Sequence, residues 1–206
     1  MKTVVSSIGA MTLLLAIAAA PSGAAGKVPV PERAESGWRL SAPSEILCGD
    51  IVFRRGHGFW TGWFINASIE EKRYSHTGIA VSSGRDPWII HAEANDDSTD
   101  GFVKRTRWHD FQRDSTQAAV YRFPADESIR RKIAACAEKR LGVAFDSAFS
   151  VVDTNRLYCS EFVREAVNEA FDRDVIPIIE KNGVRLITVD ACYLNGAEPV
   201  FRISEE

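Results

Sequence analysis

The hydrophobic period of this 206-residue chain changes near residue 126, and the change limits the folds open to it. Before this point apolar residues fall in short runs typical of strands, whereas after it they recur every three or four residues, as in helices. The predicted strands are residues 50–55, 74–83, 87–94, 103–108 and 118–123. Strands followed by helices in a chain of this length predict one α+β domain, in which an antiparallel sheet packs against helices.

Glycines and turn residues mark the connections between these segments. The stretch RGHGFWTGWF, residues 55–64, is broken by glycine and predicts a loop. Residues 83–86, SGRD, predict the turn of a hairpin between the second and third strands. FDSAF, residues 145–149, predicts another loop, and residues 187–203 predict a loop followed by a last strand.

The first 25 residues differ in kind from the rest. Lys2 is followed by the apolar run MTLLLAIAAA and then by small residues, which is the layout of a secretory signal peptide. The run is too short to span a bilayer comfortably, and we expect cleavage near Ala24 or Ala25. The sequence therefore predicts a mature domain of residues 26–206 that is periplasmic or secreted, with no stable membrane anchor.

The charge of the chain argues against one class of partner. Its formal net charge is -3, and local basic clusters such as Arg54–Arg55 are offset by acidic residues. A surface of this mixed character predicts no binding to nucleic acid.

The second helical segment begins with a cysteine. A helix start carries partial positive charge and unpaired N–H groups, which favour a thiolate and could hold an oxyanion. We therefore expect the pKa of Cys159 to lie below the roughly 8.5 of a free thiol. The alternative is a buried core cysteine. Residues 153–155 are the predicted cap, and the apolar stripe of the helix is Phe162, Val163, Ala166, Val167, Ala170 and Phe171.

Two of the predicted strands each carry a histidine. Side chains alternate along a strand, so His76 shares its face with Gly78 and Ala80, and His91 shares its face with Glu93. The small neighbours of His76 leave room for a substrate or another chain. A histidine on the adjacent strand could orient His76 through its far ring nitrogen. Together with a cysteine at a helix start, these histidines predict a Cys-His-polar arrangement.

The other three cysteines have separate explanations. Cys136 falls on the apolar stripe of the helix predicted after its cap Asp126, and we expect it to be buried in the core. Cys48 and Cys192 could form a disulfide in an oxidising compartment.

Neither a metal nor a cofactor is expected from the sequence. The cysteines contain no CxxC pair. A zinc site built from His57, His76, His91 and Cys159 is conceivable, but no short-range ligand pair supports it. His57 is instead a candidate to line a substrate groove, the alternative being a solvated loop histidine.

Five motifs occur in the order CGDIVFRR, SHTGIAV, WIIHAE, FDSAF and YCSEFV. In this order they resemble the permuted papain-like cysteine hydrolases of the YiiX-like branch of the NlpC-like superfamily, with lecithin:retinol acyltransferase as a more distant relative. The resemblance covers residues 48–206. It implies a circularly permuted papain-like (NlpC-like) fold, with the histidine strand before the cysteine helix.

The resemblance also implies roles for individual residues. Cys159 matches the nucleophile and His76 the general base. The third position of YiiX-like proteins is usually a glutamate. His91 occupies it here, as a second histidine does in the acyltransferase relatives, and Glu93 is the alternative. Tyr158 matches the tyrosine before the family's cysteine and is assigned to the substrate site.

The implied function is that of an exported cysteine hydrolase that cleaves amide bonds of the peptide type. Export points to cell-envelope peptides as substrates. A lipid acyl hydrolase or acyltransferase is the second hypothesis, because FWTGWFI, residues 59–65, could line an apolar groove. The third is a binding module that keeps the fold without turnover, although an intact Cys159 and His76 argue against it.

Overall fold

The computed structural model describes residues 45–57, 59–94, 100–153 and 155–204. All of these residues belong to one compact unit. The signal peptide predicted for residues 1–25 lies outside the described residues. The elements follow in the order β1 Ile51–Arg55, α1 Phe59–Ala67, β2 His76–Ala80, β3 Trp88–Ala94, β4 Gly101–Arg107, α2 Trp108–Phe111, β5 Gln117–Arg122, α3 Glu127–Glu138, β6 Ala144–Phe145, β7 Arg156–Leu157, α4 Cys159–Phe171, β8 Ile179–Lys181, β9 Val184–Leu186, α5 Ala191–Leu194 and β10 Glu198–Ser204.

An eight-stranded sheet in the order β10-β5-β1-β2-β3-β4-β6-β7 forms the frame of the fold. Its neighbouring strands are antiparallel, as predicted, except for the short parallel pair β6 and β7. The two predicted histidine strands, β2 and β3, lie side by side, with Ile79 opposite Ile90. The predicted α+β class with an antiparallel sheet against helices is confirmed.

Alternation along the strands buries both faces of the sheet. Ile51 and Ile79 pack into the larger core cluster together with buried residues of α3 and α4. Val52 and Ala80 point the other way and pack with Phe111 of α2 in a second cluster. Successive side chains of a strand point to opposite faces, so the central strands β1 and β2 contribute buried residues to both clusters.

The helix α4 forms where the sequence predicted it and buries the predicted stripe from Phe162 to Ala170. The predicted cap at residues 153–155 is wrong. The N-cap is Tyr158, which makes no side-chain cap hydrogen bond, because Arg156 and Leu157 are held in the strand β7 beside β6.

The loop predicted for residues 55–64 is also wrong, since most of this stretch lies in α1. A Cβ added at Gly62 would meet nothing within 4 Å, and a single glycine inside a helix costs only about 1 kcal/mol relative to alanine. Burial of Phe64 and its edge contact with Phe149 favour the helix. Tertiary packing therefore overrides the glycine signal.

Three further elements were missed in the C-terminal part, namely one hairpin of two strands and one short helix. The strands β8 and β9 pair as a separate hairpin, whose turn places Asn182 and Gly183 at positive φ. This Asn-Gly pair is a strong hairpin signal that the sequence did contain. The third is α5, one short turn within the loop predicted from residue 187. The last strand of the prediction is confirmed as β10.

All four cysteines are free, so the predicted disulfide between Cys48 and Cys192 is wrong. Cys48 is half-buried, and its backbone N–H donates to Ser83 Oγ. Cys192 is fully buried, and its Sγ lies 3.7 Å from the carbonyl oxygen of Ser160. The two thiols thus have different neighbours. Cys136 is buried in the core, as predicted.

No helix within the described part of the chain is long and apolar enough to cross a membrane.

Candidate active site

Cys159 is the first residue of α4, and its side chain is almost completely buried, at 1% exposure. The start of the helix is fastened to one residue of the following loop: the N–H of Ile187 donates to Tyr158 Oη at 2.8 Å, and Ser160 Oγ donates to the Ile187 carbonyl at 2.7 Å. The backbone N–H groups of Thr77 and Ser160 lie near enough to Cys159 Sγ to lower the pKa of the thiol. The thiol is therefore held between the helix start and the strand β2.

The resting thiol is neutral. Burial raises the pKa of Cys159 to about 12, although the amides of Thr77 and Ser160 and the charge of Arg54 lower it. The expectation of a pKa below that of a free thiol is thus wrong for this state. The helix start acts in the predicted direction, but the loss of hydration on burial is the larger effect.

The structure brings the two strand histidines into direct contact. His76 Nε2 lies 2.8 Å from His91 Nδ1, and His91 Nε2 lies 3.0 Å from Thr106 Oγ1. His91 is 1% exposed, whereas His76 is partly exposed. Burial lowers the pKa of His91 to about 3, and burial together with Arg54 holds the pKa of His76 well below 6.5. Both imidazoles are therefore neutral at pH 7.

Glu93 lies beside the histidines but forms ion pairs with two cations. Its carboxylate pairs with Arg54 and, at 2.8 Å, with Lys104 Nζ. Its Oε2 lies 3.9 Å from His91 Nδ1. Burial would raise the pKa of Glu93, but the nearby histidines and Arg54 hold it down at about 2. Glu93 is thus ionised, and it is His91 that makes the direct hydrogen bond to His76.

These groups are also close enough to share one cation. The ligand atoms of His76, His91 and Glu93 lie within 4.8 Å of one another. Arg54 and Lys104 already neutralise the carboxylate, however, which disfavours a metal ion there. The zinc site considered from the sequence does not assemble: within the described ranges, neither His57 nor Cys159 belongs to such a group.

The two residues predicted to bind substrate, His57 and Tyr158, differ in exposure. His57 is exposed in the connection between β1 and α1. Tyr158 is 1% exposed and its hydroxyl is engaged by Ile187, so in this structure it holds the helix start and offers no surface to a substrate. Among the hydrogen bonds of the described residues, none joins Cys159 Sγ to a histidine. Thr77, the residue after His76, lowers the pKa of the Cys159 thiol through its backbone N–H.

Three residues near the site were not identified from the sequence. Phe111 stacks on His76 at 5.6 Å between ring centroids and meets His91 edge-on at 5.2 Å. Arg54 lies opposite His76 in the register of β1 and β2. Thr106 reaches His91 from β4. Alternation from Val52 could have placed Arg54 on the face of His76, but no local signal marks Phe111 or Thr106.

Comparison with known proteins agrees with this architecture. The family model for permuted papain-like amidase enzymes of the YaeF/YiiX type, the C92 family, matches residues 45–181. Among solved structures, the chain is similar to the metalloprotein yiiX from Escherichia coli O157:H7, with a TM-score of 0.61. The two are 20% identical, and the match covers 78% of this chain and 97% of that one, a likeness that shows the fold alone.

No curated protein matches the chain. The matched family region contains His76, His91, Glu93 and Cys159, and it confirms the resemblance first suggested by the five motifs. The chain therefore belongs to the family of permuted papain-like amidases, a group of hydrolases of the amidase type.

Proposed function

We propose that the protein is a cysteine amidase in which Cys159 is the nucleophile, His76 the general base and His91 the residue that orients His76. The observation that carries the proposal is the 2.8 Å contact between His76 Nε2 and His91 Nδ1. His76 is followed in β2 by Thr77, whose backbone N–H lowers the pKa of the Cys159 thiol. A thiol at a helix start, a base and an orienting group are the three parts that covalent acyl transfer requires.

The reaction would begin from a neutral thiol and a neutral imidazole. The Cys159 proton would pass to His76 Nδ1 while Sγ forms a bond to the substrate carbonyl carbon, which leaves a tetrahedral oxyanion. His76 would then return the proton to the leaving nitrogen as the C–N bond breaks. Water would hydrolyse the resulting thioester by the same proton route and restore the thiol. Backbone N–H groups at the helix start are the proposed donors to the oxyanion.

Burial of both partners makes this charge separation unfavourable in the resting site. It raises the pKa of Cys159 and lowers that of His76. The amides of Thr77 and Ser160 favour the thiolate, and the carboxylate of Glu93 favours the imidazolium. We expect substrate binding to supply the remaining stabilisation, because interactions that strengthen in the transition state are the ones that accelerate the reaction.

A metal-dependent reaction is the competing chemistry, because the solved relative is described as a metalloprotein. In this chain Glu93 is already paired with Arg54 and Lys104. We therefore propose that the thiol, and not a metal ion, drives the reaction. Turnover should persist in the presence of a chelator and disappear in Cys159→Ala. Loss of turnover on chelation, restored by added zinc, would favour the metal.

The proposed substrates are cell-envelope peptides, in keeping with the predicted export. A lipid acyl substrate is a second candidate, favoured by an aromatic wall: Trp63 is 40% exposed and stacks on Phe149, with ring centroids 4.4 Å apart. Phe149 in turn contacts Tyr158, next to the cysteine. An aromatic surface of this kind could accept an acyl chain or an apolar peptide side chain.

One experiment separates these possibilities. The purified protein would be incubated with cell-wall peptides and, separately, with lipid extracts, and intact mass spectrometry would follow both products and a covalent acyl adduct. We expect release of amines from peptides and an adduct on Cys159. Cys136→Ala, which removes a thiol of the core, serves as the control and should keep activity. Turnover of lipids alone would favour the second candidate, and no turnover or adduct would favour a binding module.

We propose that the protein is exported to the periplasm or secreted from the cell. Expression of the full chain followed by mass measurement of the exported form should show cleavage near Ala24 or Ala25. Retention of the intact N-terminus inside the cell would contradict it.

A further inference from the structure

We propose that Thr106 is a positioning residue that selects the tautomer of His91 and, through it, the tautomer of His76. The inference deepens the proposed function, because it assigns the group that keeps His76 Nδ1 free to act as a base. It rests on a chain of two hydrogen bonds that runs from His76 through His91 to Thr106.

The two contacts leave only two proton arrangements for neutral imidazoles. A neutral imidazole has one donor and one acceptor nitrogen. In the first arrangement, His91 Nε2–H donates to Thr106 Oγ1, His91 Nδ1 accepts from His76 Nε2–H, and His76 Nδ1 keeps a lone pair. In the second, Thr106 donates to His91 Nε2, His91 Nδ1–H donates to His76 Nε2, and the proton of His76 is on Nδ1. Only the first leaves a base at His76 Nδ1.

When His76 is protonated, the hydrogen bonds from His76 through His91 to Thr106 must run in the same donor-to-acceptor direction. Once His76 carries a proton on both nitrogens, Nε2–H must donate to His91 Nδ1. His91 then has its own proton on Nε2, and Thr106 Oγ1 must accept it. Thr106 is thus required as an acceptor both before and after the proposed proton transfer.

Among the described residues around His91, no other group takes the place of Thr106 as the hydrogen-bond partner of Nε2. His91 is 1% exposed, so bulk water does not replace a lost partner. Phe111 presents its ring edge-on to the imidazole at 5.2 Å. Glu93 lies near the other nitrogen, with Oε2 at 3.9 Å from Nδ1. Over the described residues, Thr106 Oγ1 is the only hydrogen-bond partner of His91 Nε2.

Thr106→Val is the direct test, because it replaces the hydroxyl by a methyl group of similar size. An N–H at His91 Nε2 would then be buried without an acceptor, and buried unpaired N–H groups are rare in proteins. The second tautomer would be favoured, and His76 would lose its free Nδ1. We expect kcat on an amide substrate to fall by roughly 10- to 100-fold, the range that an unpaired buried hydrogen-bonding group produces, with KM unchanged.

Two companion variants make the result specific. Thr106→Ser keeps a hydroxyl and should retain most of the activity. Thr116→Val removes another half-buried hydroxyl, which lies just before β5 and donates to the Arg55 carbonyl at 3.4 Å, and it should leave kcat unchanged. Thr106→Ala removes the hydroxyl without adding a methyl group and replaces the valine variant if that variant does not fold.

A spectroscopic measurement separates this inference from the proposed function. The ring nitrogen shifts of the histidines, with His91 assigned by His91→Gln, report which nitrogen carries the proton in the resting protein. We expect Nε2–H for His91 in the wild type and in Thr106→Ser, and a shift toward Nδ1–H in Thr106→Val. Such a shift would support the inference even if no amide substrate were turned over, in which case the proposed function alone fails. Nδ1–H in the wild type, or identical shifts and kcat in Thr106→Val, would overturn it.

Discussion

Gly78 controls how closely β2 and β3 approach beside the histidines. A Cβ added at this position would lie 2.8 Å from the Ile90 carbonyl oxygen, 3.0 Å from His91 Cβ and 3.0 Å from Ile89 Cγ2. No side chain at Gly78 can avoid them by rotation, because the Cβ position is set by the backbone. We therefore predict that Gly78→Ala forces β3 away from β2.

The size of the effect follows from these contacts. Overpacking a buried site by one methyl group costs about 1–3 kcal/mol, and a clash with a backbone oxygen places Gly78→Ala in the upper half of that range. Relief of the clash requires a shift of a few tenths of an ångström, and His91 would move with its strand, away from His76. Since a misplacement of 1 Å costs about 100-fold in rate, a shift of this size predicts a loss of roughly three- to tenfold.

Urea denaturation followed by circular dichroism, together with the amide assay, would test this prediction. Gly62→Ala is the matched control, because a Cβ at Gly62 meets nothing within 4 Å. It lies inside α1, so the substitution should stabilise the protein by about 0.5–1 kcal/mol. If Gly78→Ala were as stable and as active as the wild type, the close approach of β3 to β2 would not be required, and the reasoning would be refuted.

Three further predictions concern the site. Alkylation of Cys159 should accelerate steadily from pH 7 to 10, because burial raises the pKa of this thiol to about 12; a plateau below pH 7 would contradict a neutral resting thiol. His91→Ala should lower turnover more than Glu93→Ala does, since His91 bonds His76 directly; the reverse order would give the third role to Glu93. Burial lowers the pKa of His91 to about 3 from 6.5, so the unfolded chain binds the extra proton between these values. The free energy of unfolding should then fall as the pH drops from 6.5 toward 3, by up to about 1.4 kcal/mol per pH unit, and His91→Gln should flatten the curve of urea midpoint against pH.

The parts of the fold that local periodicity controls could be predicted from the sequence. Alternation in SHTGIAV and WIIHAEA predicted β2 and β3, and the apolar stripe after Cys159 predicted α4. The same alternation placed His91 and Glu93 on one face. It could not supply the 2.8 Å contact between His76 and His91, because that contact depends on the register of two strands, which their own periods do not specify.

The errors arise where tertiary contacts outweigh local signals. Most of the glycine-rich stretch at residues 55–64 lies in α1, because Phe64 is buried and packs against Phe149. The cap of α4 lies at Tyr158 because the two residues before it, Arg156 and Leu157, are paired with β6 as the strand β7. The Cys159 pKa is raised because the thiol is buried, and burial belongs to the whole fold and not to the helix start that the sequence reveals.

Two residues are candidates for orienting His76, namely His91 and Glu93, and they would act on it in different ways. His91 acts by a directed hydrogen bond, which a change of tautomer can break. Glu93 acts by charge, and its carboxylate raises the pKa of His76 while Arg54, its ion-pair partner, lowers that pKa more strongly. The same guanidinium lowers the pKa of Cys159, so it favours the thiolate and disfavours the imidazolium. The charge of Glu93 is thus largely offset before it reaches His76, whereas the hydrogen bond of His91 is not, and the orientation of His76 depends on His91.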